Sequence, residues 1–368
     1  MRYFFVAGEA SGDLHASTVM QALSALDANA DFAYMGGAKM RALGGDCVVA
    51  SESLAYMGVL DVVKNITKIQ QAASKVQEGL LRYRPDVVVC VDYAGFCFRY
   101  ILPFVREKLS NTKIVYYIPP KVWAWKKGRI KTLRSHTDLI LSIFPFEIPF
   151  FRQHQLPQVR YVGNPSLEEV DEYLRMAIPR EEQPYIALLP GSRRSEVTQN
   201  LPTMLRVARS FPDMQIKIAG TTALPTEVYG ELEDREQLII GDTYGVLRGA
   251  RAALVTSGTA TLETALIGTP QVVCYAHTAG KLANFVFERF FSTPFISLVN
   301  LVAEKEVVQE LYGGLFQEDK IWGALSPLLS DSYQRAQMME GYREVREKLQ
   351  TECPSSTETA KAIFDLKR

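Results

Sequence analysis

Short apolar runs closed by Gly, Pro or an acidic residue recur along this chain, and longer segments with helically spaced apolar positions separate them. The runs at 3–7, 32–35, 47–50, 86–91, 113–118 and 139–143 read as strands. The stretch at 86–91 is nearly all Val, the mark of a strand buried on both faces. A helix carrying Leu14, Val19, Leu23 and Leu26 follows the first strand, and a long amphipathic segment spans 54–84. From 165 to about 184 the chain turns polar, with a short helix expected. The pattern then restarts, with strands at 185–189, 215–218, 238–240, 253–255 and 271–275 and helices at 195–210, 244–249 and 259–267. The tail from about 304 is predicted helical throughout, ending in a helix at 355–366.

Strands alternating with helices predict parallel sheets covered on both faces. At 368 residues the chain exceeds one typical core, so the expected fold is α/β with two Rossmann-like lobes facing across a cleft. The expected boundaries are a first lobe at 1–164, a linker at 165–184, a second lobe at 185–340, and helices at 341–368 packing on the first lobe.

Composition narrows the function classes. Lys+Arg and Asp+Glu number 41 each, so no global field draws in nucleic acid. The five cysteines are scattered without a C-x-x-C pair, which fits a reducing compartment. The chain opens directly on a strand, giving no sign of a signal peptide, and no apolar run approaches bilayer length. Four histidines without an H-E-x-x-H leave no metal site to expect, and Walker A and G-x-G-x-x-G patterns are missing.

The chemistry concentrates at strand ends, where parallel sheets bind ligands. The stretch 188–197, LLPGSRRSEV, feeds a strand through Gly191 and Ser192 into a helix. Free backbone N–H groups and the dipole make that turn an anion site, and Arg193 and Arg194 add guanidinium groups suited to phosphate. A second such turn lies at 256–263, where Ser257, Gly258, Thr259 and Ala260 open a helix and Glu263 follows within reach of a ribose. Taken alone, Glu263 reads better as a capping or surface carboxylate. Two phosphate-competent turns in one lobe point to a nucleotide-sugar diphosphate. In the first lobe, the glycine turn Gly8, Ser11, Gly12 and Asp13, the carboxylate of Asp92, and the basic–aromatic corner of Trp123, Lys126 and Arg129 line the expected acceptor side.

Here the chain resembles the lipid-A-disaccharide synthases, glycosyltransferases of the two-lobe GT-B type. The matching stretches are VAGEASGD (6–13), AYMGVLDV (55–62), RPDVVVCVD (84–92), YYIPPKVWAWKKGR (116–129), LPGSRRSEV (189–197), TSGTATLE (256–263), SLVNL (297–301) and EKEVVQELY (304–312). One departure stands at Asp92-Tyr93-Ala94-Gly95-Phe96, where Gly95 replaces the second acid of the family's D-x-P-D-F.

The resemblance implies transfer from UDP-2,3-diacylglucosamine to the 6-hydroxyl of 2,3-diacylglucosamine 1-phosphate, with inversion and no cofactor or metal. Inverting transfer needs a base and a stabilised leaving diphosphate, which assigns Asp92 and Arg193 as catalytic residues. Asn300 and Glu263 are expected on uridine and ribose, with Gln309 and Glu310 as weaker candidates. The lipid substrates imply a peripheral enzyme on the cytoplasmic face of a Gram-negative inner membrane. The lysine-flanked apolar face from Val59 to Ile69, continuing through Ala73, Val76 and Leu80, either dips into anionic lipid or packs on the sheet. The tail from 318 to 368 crosses back to the first lobe of its own chain or to that of a partner in a homodimer. The rival readings are another GT-B enzyme, such as a transferase with a non-lipid acceptor or a UDP-sugar epimerase, and a non-catalytic UDP-sugar-binding protein.

Overall fold

The computed structural model describes residues 1–53, 66–123, 128–176, 183–256, 258–276 and 295–367. The chain divides into two units, Met1–Pro165 with Thr351–Arg368, and Ser166–Gln350.

The first unit holds seven strands, β1 (Arg2–Ala7), β2 (Asp31–Gly36), β3 (Asp46–Ala50), β4 (Val87–Val91), β5 (Lys113–Tyr117), β6 (Leu139–Ser142) and β7 (Val159–Tyr161). They form one parallel sheet in the order β3-β2-β1-β4-β5-β6-β7. Alternate side chains of β1 and β4 fill two separate cores. Phe4, Val6, Val88 and Cys90 point to one, and Tyr3, Phe5, Ala7, Val87, Val89 and Val91 to the other. Each large apolar side chain so buried contributes about 1.5–3 kcal/mol, so helices must cover both faces. The helix Ile66–Tyr83 covers the first core with Ala72, Ala73, Val76 and Leu80, and keeps Lys68 and Lys75 exposed. This part of the amphipathic face packs inward, while residues 59–65 lie outside the described residues.

The second unit holds β8 (Tyr185–Leu189), β9 (Gln215–Gly220), β10 (Glu236–Ile240), β11 (Ala252–Val255), β12 (Gln271–Tyr275) and β13 (Glu310–Tyr312), a parallel sheet ordered β10-β9-β8-β11-β12-β13. β13 corrects the expectation of an all-helical tail. Glu310 pairs with Val273, and Gln309 O accepts the Val273 N–H at 3.0 Å, so this short segment closes the sheet edge.

The short helix expected between the lobes is Pro165–Arg175, and from Ser166 on it belongs to the second unit. At the other end, residues 341–350 stay with the second unit because Tyr333–Leu349 is one helix. Lys348 Nζ donates to Val302 and Ala303 carbonyls at 3.1 and 2.9 Å, and Arg346 pairs with Asp171. The chain rejoins the first unit at Thr351, where Ala360 and Ile363 of the helix Ser355–Phe364 share a core with Val19 and Leu23. No helix among the described residues is long and apolar enough to cross a membrane.

Candidate functional site

In the second unit a cavity of about 480 Å³ opens where β8, β9, β10 and β11 end, a volume in the range of small-ligand pockets. Both anticipated turns line it. Gly191, Ser192 and Arg193 come from one, Gly258, Thr259 and Ala260 from the other, and Glu263 stands a turn further in. The turns end against the helices Arg194–Arg209 and Thr259–Ile267, whose first N–H groups have no intrahelical acceptor. Gly191 has φ +117°, a conformation that excludes side chains. The Arg193 side chain is 79% exposed, so a solute can reach its guanidinium.

Asn200 is a residue the sequence reading missed. Its Nδ2 donates to Pro190 O at 3.0 Å and to Thr256 Oγ1 at 3.2 Å, and its Oδ1 accepts the Ala276 N–H at 2.7 Å. One buried amide therefore ties the ends of β8, β11 and β12. The far wall, Gly220, Thr221, Thr222, Gly241 and Thr243, was also missed. A Gly or Thr cluster directly after each predicted strand was the available signal. Glu263 accepts a hydrogen bond from Tyr244, whose hydroxyl is pushed upward in pKa chiefly by burial and then by that carboxylate.

Two expectations, for Arg194 and Asn300, meet a different arrangement here. Arg194 opens the helix and is exposed, and it does not line the cavity among the described residues. Ser257 lies outside the described residues. Asn300 is fully buried, and its amide is committed to the scaffold. Nδ2 donates to Val308 O and Glu310 Oε1 at 2.8 and 2.9 Å, while Oδ1 accepts from Val307 and Val308 at 2.7 and 3.0 Å. Glu310 in turn accepts from the Ile296 and Ser297 amides, at 2.9 and 2.8 Å. These two residues brace a loop onto β13, and Gln309 serves as a ladder residue through its carbonyl.

In the first unit Asp92 follows β4 with φ +50°, and Tyr93 with φ +45°. Two successive non-glycine residues in the left-handed region mark stored strain of the kind found at functional sites. Two bonds hold the turn, Asp92 N–H to Tyr117 O at 3.0 Å and Tyr116 Oη to Asp92 O at 2.8 Å. Burial raises the Asp92 pKa above the ordinary carboxylate value, and the negative charge of Glu9 adds to it; Lys121 and His15 oppose.

Gly8 serves this turn. A Cβ there would lie 2.3 Å from the Tyr93 ring, so the glycine is a seat for that ring. Gly12 is buried near Ala7, and Ser11 is exposed on the first turn of the helix Ala10–Leu26. Asp13 has a scaffold role. Its carboxylate accepts the amides of Gly37, Lys39 and Met40 at 2.7, 2.9 and 3.2 Å, capping the next short helix.

Trp123 is buried, with its indole N–H donated to Glu147 Oε1 at 2.8 Å. Glu147, 1% exposed, also accepts from Ser142 Oγ, and burial pushes its pKa up to about 7. Lys121 lies within electrostatic reach of both Asp92 and Glu147. Neither the exposed Lys121 nor the buried Glu147 was anticipated, because charges brought together only by the fold leave no periodic trace in a sequence. Arg129 stacks its guanidinium 5.0 Å from the Phe98 ring, and Lys126 lies outside the described residues. Among the described residues no group of three or more His, Cys, Asp or Glu is placed to hold a metal ion.

Solved structures share this architecture. UDP-GlcNAc 2-epimerase from Neisseria meningitidis, bound to UDP-GlcNAc, aligns over 100% of both chains with a TM-score of 0.62 at 14% identity. The calicheamicin glycosyltransferase CalG4 aligns over 100% of this chain and 97% of its own, with a TM-score of 0.59 at 15% identity. The fold is that of the GT-B class, shared by glycosyltransferases and epimerases.

The profile of the lipid-A-disaccharide synthetase family matches residues 3–364. Lipid-A-disaccharide synthase of Syntrophus aciditrophicus is 35% identical over 360 residues, covering 94% of this chain and 92% of its own. That of Pseudomonas aeruginosa is 32% identical over 385 residues, covering 100% and 98%. The chain belongs to the lipid-A-disaccharide synthase family.

Proposed function

We propose that this chain joins two acylated glucosamines, moving 2,3-diacylglucosamine from UDP to the 6-hydroxyl of 2,3-diacylglucosamine 1-phosphate. Asp92 takes the proton of that hydroxyl. The oxygen attacks the donor's anomeric carbon from the face opposite UDP, and the bond to the diphosphate breaks with its electron pair leaving on UDP. The anomeric centre inverts, giving a β-1,6 disaccharide 1-phosphate. The observation that carries this reading is the Asp92 carboxylate, raised in pKa by burial and held at a strand end by a strained turn. A carboxylate raised in this direction is a stronger base toward the acceptor hydroxyl than an ordinary one.

The donor diphosphate is assigned to the cavity between the two helix starts, with Arg193 and the amides around Gly191 and Gly258 taking its charge. This donor set supplies a cation and several N–H groups, so the reading is metal-independent. The acyl chains of both substrates place the reaction at an anionic membrane surface. A UDP-sugar epimerase is the second reading, favoured by the shared fold of the Neisseria enzyme, and it needs no acceptor.

The test is a mass-spectrometric assay of purified protein with both acylated substrates and a chelator, beside Asp92→Asn. Disaccharide phosphate from the wild type alone supports substrate class, metal independence and base together. UDP-sugar isomerisation without acceptor would overturn the reading in favour of the epimerase.

A further inference from the structure

The amides at the start of the helix Arg194–Arg209 already hold an anion, and it comes from the chain itself. Glu196 Oε2 accepts the N–H groups of Ser192 and Arg193 at 3.0 and 3.3 Å, while Oε1 accepts the Arg193 guanidinium at 2.8 Å. A helix-start glutamate ordinarily reaches back to the N-cap amide alone. This carboxylate engages one further amide and a guanidinium besides, the donors a phosphate group would use. Gly191 allows it to fold over, since a Cβ there would come within 2.6 Å of both Glu196 Cβ and Oε2. All four residues line the cavity. Asn200 adds a separate hold at the base of the turn, on the Pro190 carbonyl and Thr256.

We propose that Glu196 is a resident competitor for the donor diphosphate: it occupies the Ser192–Arg193 seat when the seat is empty, yields to the diphosphate, and returns as UDP departs. The inference rests on the donor assignment above. It follows from the charge pattern that the seat is neutralised between turnovers, so weakly charged solutes do not fill it. A diphosphate, carrying more charge and more acceptor atoms than one carboxylate, displaces it. Affinity for the diphosphate is reduced by the fraction of molecules in which the seat is closed. The same device speeds the release of UDP, because the returning carboxylate re-pairs donors that would otherwise be left empty.

The experiment is calorimetric titration of the full chain with UDP and with uridine, comparing wild type, Glu196→Gln and Arg193→Ala. Glutamine keeps acceptor oxygen for the helix start but carries no charge, and a melting curve beside the wild type verifies the fold. Glu196→Gln is expected to bind UDP about fivefold to tenfold more tightly, with uridine affinity unchanged. In steady state its donor KM falls together with kcat, as expected when UDP leaves more slowly. UDP binding unchanged or weakened in Glu196→Gln, with Arg193→Ala having lost UDP, would overturn this inference and leave the donor site standing. A wild type that binds no UDP, or an Arg193→Ala that binds it as well as wild type does, would overturn the donor assignment and the inference with it.

Discussion

The Trp123 indole and the Glu147 carboxylate are joined by a 2.8 Å hydrogen bond in the interior of the first unit. Burial raises Glu147 from its ordinary 4.5 to about 7. The folded state therefore holds this proton more tightly than the unfolded chain does. The stabilisation is full below pH 4.5 and is lost as pH rises through about 7, a loss on the order of 3 kcal/mol. Glu147→Gln retains both hydrogen-bonding partners without the charge. Its melting temperature should exceed that of the wild type at pH 8, with the gap closing toward pH 5. A gap independent of pH would contradict the assignment.

Asn300 is a brace, and its removal should be felt as lost stability. Asn300→Ala strands the amides of Val307 and Val308 in a buried site and removes a donor to Glu310. The cost expected is about 3 kcal/mol or more. Thermal melts should show a clearly lowered transition, while UDP affinity of the folded protein stays within about twofold. A nucleotide contact would give the reverse, with weak binding at an unchanged melting temperature.

Asp92→Asn should lower turnover by about 10²- to 10⁴-fold while leaving UDP affinity intact. Only the ionised carboxylate takes the acceptor proton, so wild-type kcat/KM falls as pH drops through the raised pKa of Asp92. The asparagine variant should lack that acid limb. Because burial opposes ionisation at this site, the variant should also melt slightly higher than the wild type at neutral pH. Rate–pH profiles and melting curves of the same preparations check both.

Arg193→Ala should lose UDP affinity and turnover together, each by about 10- to 100-fold, as expected for a charge-assisted phosphate contact. Arg194→Ala should change UDP affinity far less, since Arg194 lies outside the cavity lining among the described residues. Paired calorimetry and initial-rate measurements separate the two arginines.

What the residues disclosed in advance follows from which interactions leave a local pattern. The valine run of β4 and the Gly–Ser–Arg turn after β8 are legible because burial on both faces and a break at a helix start each require particular neighbours in sequence. β7 and β13, three residues each, are too short to carry a period, and pairing with a neighbouring strand makes them strands. Asp13 and Asn300 were placed on substrates because a polar residue beside a glycine turn or in a shared motif looks the same whether it meets a ligand or a backbone amide. Their partners lie at Gly37–Met40 and at Val307–Glu310, and only the folded chain brings those amides within 3.2 Å. Lys121 and Glu147 were invisible for a related reason. Their significance is that Lys121 acts electrostatically on both Asp92 and Glu147, a relation that no stretch of sequence expresses.

The return of Thr351–Arg368 to the first unit sets an order of assembly. Tyr3, Val19 and Leu23 share their core with Ala360 and Ile363, residues the ribosome delivers only after the whole second unit. The first unit stays incomplete until the whole second unit has been made. During synthesis the second unit can mature as a continuous segment, whereas the first waits with an apolar face uncovered. A premature stop after Gln350 would spare every residue of the donor cavity and still strip the unit that carries Asp92 of part of its core.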